Sequence, residues 1–72
     1  MVASNEVSCF EERKGEIVLG CLNGRVELWS GGEKCGSAKV HEKNVLCVRR
    51  AEEGRVLSAG SDGLLVLLQY NE

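Results

Sequence analysis

The sequence lacks proline, has one histidine, and has one each of phenylalanine, tryptophan and tyrosine among its 72 residues. So short a chain with so few aromatic residues predicts a single domain over residues 1–72 with a thin core, because a domain of this size buries only about 60% of its unfolded surface. Hydrophobic residues make up 43% and charged residues 28%. This composition is globular and argues against disorder.

Long apolar segments and an excess of positive charge are also missing. The longest apolar run is Leu64–Leu68, far below the roughly 20 residues that span a bilayer, so we expect no membrane contact. Residues 1–6 contain neither a basic stretch nor an apolar segment, so no secretory signal is expected and the predicted location is the cytoplasm. Nine basic against eleven acidic residues give a net charge of −2, which disfavours a nucleic-acid partner.

Closely spaced metal ligands are absent as well. The four cysteines lie at positions 9, 21, 35 and 47, whereas structural zinc usually requires two ligands two to four residues apart. We therefore expect no metal and no cofactor. A cytoplasmic chain rarely forms disulfides, and free cysteine inside a strand behaves as a small hydrophobic residue. All four cysteines are predicted to be structural, with Cys9 and Cys47 buried within strands.

Segments long enough for a helix are interrupted by nine glycines, and strand patterns dominate instead. Two tight turns are strongly marked, Asn23-Gly24 and Asp62-Gly63, because both central residues of such turns must accept positive φ. The sequence predicts an all-β meander of about seven short strands. The predicted strands are Val7–Phe10, Glu16–Leu22, Arg25–Ser30, Glu33–Val40, Val45–Arg49, Arg55–Ala59 and Leu64–Gln69.

The predicted strands form an internal repeat. Val7-Ser8-Cys9-Phe10 aligns with Val45-Leu46-Cys47-Val48 at an offset of 38. One extra residue in the following turn of the second copy changes the offset to 39, and Asn23-Gly24 then aligns with Asp62-Gly63. The two copies cover about residues 6–41 and 42–70.

A repeat of about 40 residues with an early histidine, a tight Asp-Gly turn and a following tryptophan resembles a blade of a WD40 propeller. Residues 15–30 resemble strands b and c of such a blade, with Ser30 where aspartate is usual. His41 falls on the Gly-His dipeptide of the family, with Val40 in place of glycine. The resemblance implies antiparallel blades, one complete and one with three strands, in a partial β-propeller.

WD40 blades use a buried His–Ser–Asp–Trp hydrogen-bond chain, and the resemblance maps it onto this sequence. In the second copy it corresponds to His41, Ser58 and Asp62, and the chain ends at Leu68, which has no donor. The resemblance therefore implies a structural hydrogen-bond network of these three residues.

The same mapping places Leu19, Asn23 and Trp29 at the equivalent positions of the first copy, where no histidine precedes Val7. We expect neither copy to hold the full chain. Trp29 is predicted to pack inside its blade, where its ring fills space and its N–H finds an acceptor.

A narrower resemblance concerns function. Gly15 to Trp29, followed by Gly31-Gly32-Glu33-Lys34 and Val40-His41-Glu42, is similar to blades of the echinoderm microtubule-associated-protein-like family. It implies a non-catalytic scaffold that binds other proteins, with tubulin or microtubules as partner and a cytoskeletal location. Partner contacts are expected at loops. The predicted contact residues are Arg25, Glu27, Glu42, Lys43 and Asn44.

Several alternatives stay open. A propeller closes with about 4–8 blades, which favours a fragment or truncated form of a larger protein, although several copies could also close a ring. The chain could instead be a structural module that self-associates through open blade edges, with Leu64–Leu68 as an apolar edge. A third alternative is a small enzyme in which His41 activates Cys35 or Cys47.

Overall fold

The chain folds into two antiparallel β-sheets. The computed structural model describes residues 5–51 and 54–70. The first sheet has the strand order β1-β2-β3-β4 and the second the order β5-β6-β7, so each strand lies beside its neighbour in sequence. The all-β prediction is confirmed, and the described residues contain no helix. The strands are β1 (Val7–Arg13), β2 (Glu16–Cys21), β3 (Arg25–Ser30), β4 (Glu33–Lys39), β5 (Val45–Arg50), β6 (Arg55–Gly60) and β7 (Leu65–Gln69).

Strand β1 is longer than predicted. Its pairing with β2 continues past Phe10, which lies opposite Leu19, as far as Arg13 opposite Glu16. A two-residue turn then follows, in which Lys14 has a φ of 52°. The polar residues that end β1 do not alternate with apolar ones, so the sequence pattern predicted a strand that was too short.

Buried valines fill the space between the two sheets, because β5 packs against β1 and β2. Each of these side chains is at most 4% exposed. Burying a valine contributes about 1.5–3 kcal/mol relative to leaving it in water, so this cluster is the main apolar contact between the sheets. The cluster consists of Val18 and Val26 from the first sheet and Val45, Val48 and Val56 from the second.

Cys47 is not buried as the sequence predicted. Cys21 is buried and Cys9 is half-buried, but Cys35 and Cys47 are exposed. Cys47 lies beside Ala59 and Leu65 on the face of the second sheet that points away from the first. Its burial was expected from its equivalence to Cys9, but that face of the second sheet is left open to solvent.

Residues 5–51 and 54–70 contain neither a helix that could cross a membrane nor a cluster of metal ligands. No helix there is long and apolar enough to cross a bilayer. No group of three or more histidine, cysteine, aspartate or glutamate side chains there is placed to hold a metal ion.

Candidate functional site

His41 lies on the segment between β4 and β5 and is only 1% exposed. The main-chain N–H groups of Val40 and His41 both donate to the carbonyl oxygen of Gly24, each at 3.0 Å. Gly24 belongs to the β2–β3 turn and has a φ of +87°, and a Cβ built there would lie 1.8 Å from the carbonyl oxygen of His41. Glycine is therefore required at this position, and the main chain of His41 is fixed to the first sheet.

The side chain of His41 is fixed to the second sheet. Its Nε2 lies 2.7 Å from Ser58 Oγ, and its Nδ1 lies 3.0 Å and 3.2 Å from the two carboxylate oxygens of Asp62. An ionised carboxylate can only accept, so Nδ1–H donates to Asp62, and Nε2 forms its hydrogen bond with the Ser58 hydroxyl. The structure thus brings together the three residues that the resemblance placed in one hydrogen-bond network. We call His41, Ser58 and Asp62 the His41 network.

Asp62 also forms hydrogen bonds to the main chain around it. Its carboxylate accepts from the main-chain N–H of Glu42 and from that of Leu64, each at 3.1 Å. Burial acts to raise the pKa of the Asp62 carboxyl, but the N–H groups of Leu64 and Glu42 and the His41 ring outweigh burial and hold the pKa below its usual value. The fourth mapped position, Leu68, adds no polar contact and packs against the valine core.

A second polar network, which the sequence analysis missed, lies in the first sheet. The side chain of Glu27 is fully buried, so its prediction as an exposed loop residue is wrong. Trp29 Nε1 donates to Glu27 Oε1 at 3.0 Å, and Asn5 Nδ2 donates to Glu27 Oε2 at 2.8 Å. The Lys34 ammonium lies 3.8 Å from the same carboxylate. Trp29 itself is 9% exposed.

The pKa of Glu27 reflects these contacts. Burial acts to raise it, but the hydrogen bonds from Trp29 and Asn5 and the nearby charges of Lys34 and Arg25 together lower it. Asn23 Nδ2 donates to Asn5 Oδ1 at 3.0 Å, which extends the network to the β2–β3 turn. One sequence signal was available: Glu27 and Trp29 are two residues apart on a strand and therefore share a face.

The other predicted contact residues fall into two groups. Arg25 is the first residue of β3 rather than a loop residue, is half-buried, and donates to Ser37 Oγ at 3.0 Å. Glu42, Lys43 and Asn44 are exposed on the segment between the sheets. The carbonyl oxygen of Asn44 accepts from the N–H of Ser61 at 2.9 Å, which fixes this segment to the β6–β7 turn.

The His41 network has the Ser–His–Asp order used by hydrolases, but its geometry is closed. Ser58 is 0% exposed and His41 is 1% exposed, so a substrate carbonyl cannot reach the hydroxyl oxygen in this conformation. The ring nitrogens of His41 contact Ser58 and Asp62 rather than Cys35 or Cys47. The thiol–imidazole pair of the enzyme alternative is therefore not formed among the described residues.

Charged contacts also join the two sheets at the end opposite the His41 network. The carboxylate of Glu11 accepts from the main-chain N–H of Arg50 at 2.7 Å and from the Arg49 guanidinium at 3.2 Å. The Arg50 guanidinium pairs with Glu16 and donates to the Tyr70 hydroxyl at 2.8 Å. A cleft of about 420 Å³ lies beside this contact and is lined in part by Arg50 and Tyr70.

Comparisons with known proteins support the fold. No protein-family model matches the sequence, and a comparison with curated proteins finds no match. Among solved structures, the chain is similar to the crystal structure of the computationally designed Ika4 protein, with a TM-score of 0.80 and 18% identity over 90% of this chain and 41% of that one. It is also similar to the computationally designed Ika8 protein, with a TM-score of 0.80 and 18% identity over 88% of this chain and 20% of that one.

These likenesses concern the fold alone, because the sequences are so distant. The chain spans less than half the length of either designed protein. Fold and comparisons together define an all-β chain of two antiparallel sheets, one of four strands and one of three.

Proposed function

We propose that this chain is a non-catalytic protein–protein interaction segment of WD40 type, in which the first sheet is one blade and the second sheet is three strands of the next. The observation that carries the proposal is the position of His41, whose main chain bonds to Gly24 of the first sheet and whose side chain bonds to Ser58 and Asp62 of the second. A buried and fully paired polar group of this kind fixes the arrangement of the elements around it.

The binding surface of this proposal is the end of the sheets that the His41 network orders. Glu42, Lys43 and Asn44 are exposed there, while Asp62 and Ser61 hold their main chain through the contacts described above. Loops on a rigid scaffold lose little conformational freedom on binding, which favours affinity. The resemblance to the echinoderm microtubule-associated-protein-like family makes the microtubule the proposed partner and the cytoskeleton the proposed location.

Co-sedimentation with assembled microtubules tests this partner. We expect the wild-type chain to appear in the pellet and Lys43→Glu to remain in the supernatant. The matched control is Lys14→Glu, which makes the same charge change in the exposed β1–β2 turn at the opposite end of the strands, and it should sediment like the wild type. A wild-type chain that stays in solution, or two variants that bind equally well, would overturn the assignment of microtubules to the Lys43 end.

A further inference from the structure

The outer face of the second sheet, which points away from the first sheet, is apolar and open to solvent. Leu57 lies opposite Leu67 in register, and Leu65 lies on the same face beside Ala59. Leu65 is 72% exposed and Leu67 is 55% exposed. We name Arg55, Leu57, Leu65 and Leu67 the docking face.

The internal repeat shows what packs against a face of this composition elsewhere in the chain. The offset of 39 places Leu65 and Leu67 at the positions of Val26 and Leu28. In the first sheet, Val26 and Leu28 point toward the second sheet and pack with its core valines. The docking face therefore corresponds, by the repeat, to the side of the first sheet that packs against the second sheet.

The first sheet presents the complementary surface on its own outer side. Val48 and Val56 are two of the residues through which the second sheet packs against the first. In the repeat, Phe10 corresponds to Val48 at the offset of 38, and Ile17 corresponds to Val56 at the offset of 39. Phe10 is 68% exposed, although it is the one phenylalanine of the chain. We name Phe10, Glu12 and Ile17 the receiving face.

Charges on the two faces are complementary as well. The internal contact includes the ion pair between Glu16 of the first sheet and Arg50 of the second. At the same offsets, Arg55 occupies the position of Glu16 and Glu12 occupies that of Arg50. Both are exposed. The acidic and the basic residue have changed places between the two surfaces, but their charges remain opposite. A sheet that repeats the internal contact would therefore bring the Glu12 carboxylate close to the Arg55 guanidinium.

We propose that a second copy of this chain places its receiving face on the docking face and so repeats the internal sheet-to-sheet contact between molecules. The two faces are different surfaces, so the contact is head-to-tail, and it continues until a ring closes or an open array forms. This association is separate from partner binding at the Lys43 end and does not depend on it.

Two variants that each remove one face test the proposal. We expect the wild-type chain to associate as its concentration rises in size-exclusion chromatography with light scattering. Phe10→Glu and Leu67→Glu should each elute as the 7.8 kDa monomer. An equimolar mixture of the two should form a dimer and nothing larger, because the intact docking face of one variant meets the intact receiving face of the other. Leu22→Glu, at an apolar turn residue that is 40% exposed, is the matched control and should associate like the wild type.

Three results would overturn the proposal: a wild-type chain that is monomeric at every concentration, association that survives both substitutions, or a mixture that stays monomeric. Association through the free edge of β7 would survive Phe10→Glu, so this experiment distinguishes edge pairing from face packing. Circular dichroism confirms that each variant keeps its β-sheet. If Leu67→Glu does not fold, Leu65→Glu removes the same face and replaces it.

Discussion

His41 bonds to both sheets, through its main chain to Gly24 and through its side chain to Ser58 and Asp62. It was predictable from sequence that His41, Ser58 and Asp62 would meet, because their order and spacing resemble those of a known blade. The contact of the His41 main chain with Gly24 could not be predicted, because it depends on how closely the inter-sheet segment approaches the β2–β3 turn.

Ser58→Ala tests the His41 network by removing the hydroxyl that bonds to His41 Nε2. The substitution leaves a ring nitrogen of His41 buried without its partner, and the expected cost is about 1–3 kcal/mol in the free energy of unfolding. Urea denaturation measures it. Ser37→Ala is the matched control, because Ser37 also has a side-chain hydrogen bond but is exposed in β4, and its cost should stay within about 0.5 kcal/mol. Equal effects of the two substitutions would contradict the structural role of Ser58.

The lowered pKa of Asp62 predicts loss of stability in acid. The unfolded chain, with an aspartate pKa of about 3.9, takes up a proton at higher pH than the folded chain does. Asp62 therefore contributes its full stabilisation above that pKa and loses it as pH falls through the lower folded value. Denaturation at several pH values should show the wild-type advantage over Asp62→Asn shrinking below about pH 4.

Glu33→Gln is the control for this pH series, since it makes the same chemical change at an exposed residue of β4. Its difference from the wild type should stay small at every pH. A wild-type advantage over Asp62→Asn that is unchanged between neutral pH and about pH 3 would contradict the assigned contacts of Asp62.

Glu27 shows where prediction from sequence fails for a single residue. Glu27 was predicted to be a loop residue that contacts a partner, whereas the structure places it in β3 and buries it between Trp29 and Asn5. Burial of a carboxylate is costly unless donors surround it. Those donors come partly from Asn5, 22 residues away in sequence, so no local pattern predicts them.

Among the elements, the turns were the most predictable and the exposed faces the least. Asn23-Gly24 and Asp62-Gly63 correctly separated β2 from β3 and β6 from β7. The expectation that both central residues take positive φ is wrong, because only Gly24 and Gly63 do so. Which face of a strand is buried depends instead on what lies over the sheet. Cys9 and Cys47 occupy equivalent positions, and only Cys47 is exposed.

The β2–β3 turn gives a prediction about close approach. Gly24→Ala would add strain at a φ of +87° and would also push a methyl group into the carbonyl of His41. Gly31→Ala adds the backbone strain alone, because Gly31 has a φ of +61° with nothing within 4 Å of its Cβ position. We expect a cost of about 1–3 kcal/mol for Gly31→Ala and a clearly larger one for Gly24→Ala in thermal denaturation. Equal costs would mean that the turn and the His41 segment are not in contact.

At the scale of the molecule, the described residues form two sheets that share one valine core and are joined at both ends by polar contacts. At one end the contact is the His41 network, and at the other Arg50 pairs with Glu16 while Arg49 and Arg50 donate to Glu11. The sequence repeat predicted the division into four and three strands. The opposite charges that face each other across the internal contact became visible only once the faces of both sheets were known.

Amide hydrogen exchange in the wild type and in Ser58→Ala shows whether the two sheets form one cooperative unit. Ser58 lies in β6 of the second sheet, whereas β2 is one of the two inner strands of the first sheet. If the two sheets do form one unit, the most protected amides of β2 and of β6 exchange faster in the variant by the same factor, because the sheets open together. Faster exchange in β6 with unchanged exchange in β2 would show that the sheets open independently and are not one cooperative unit.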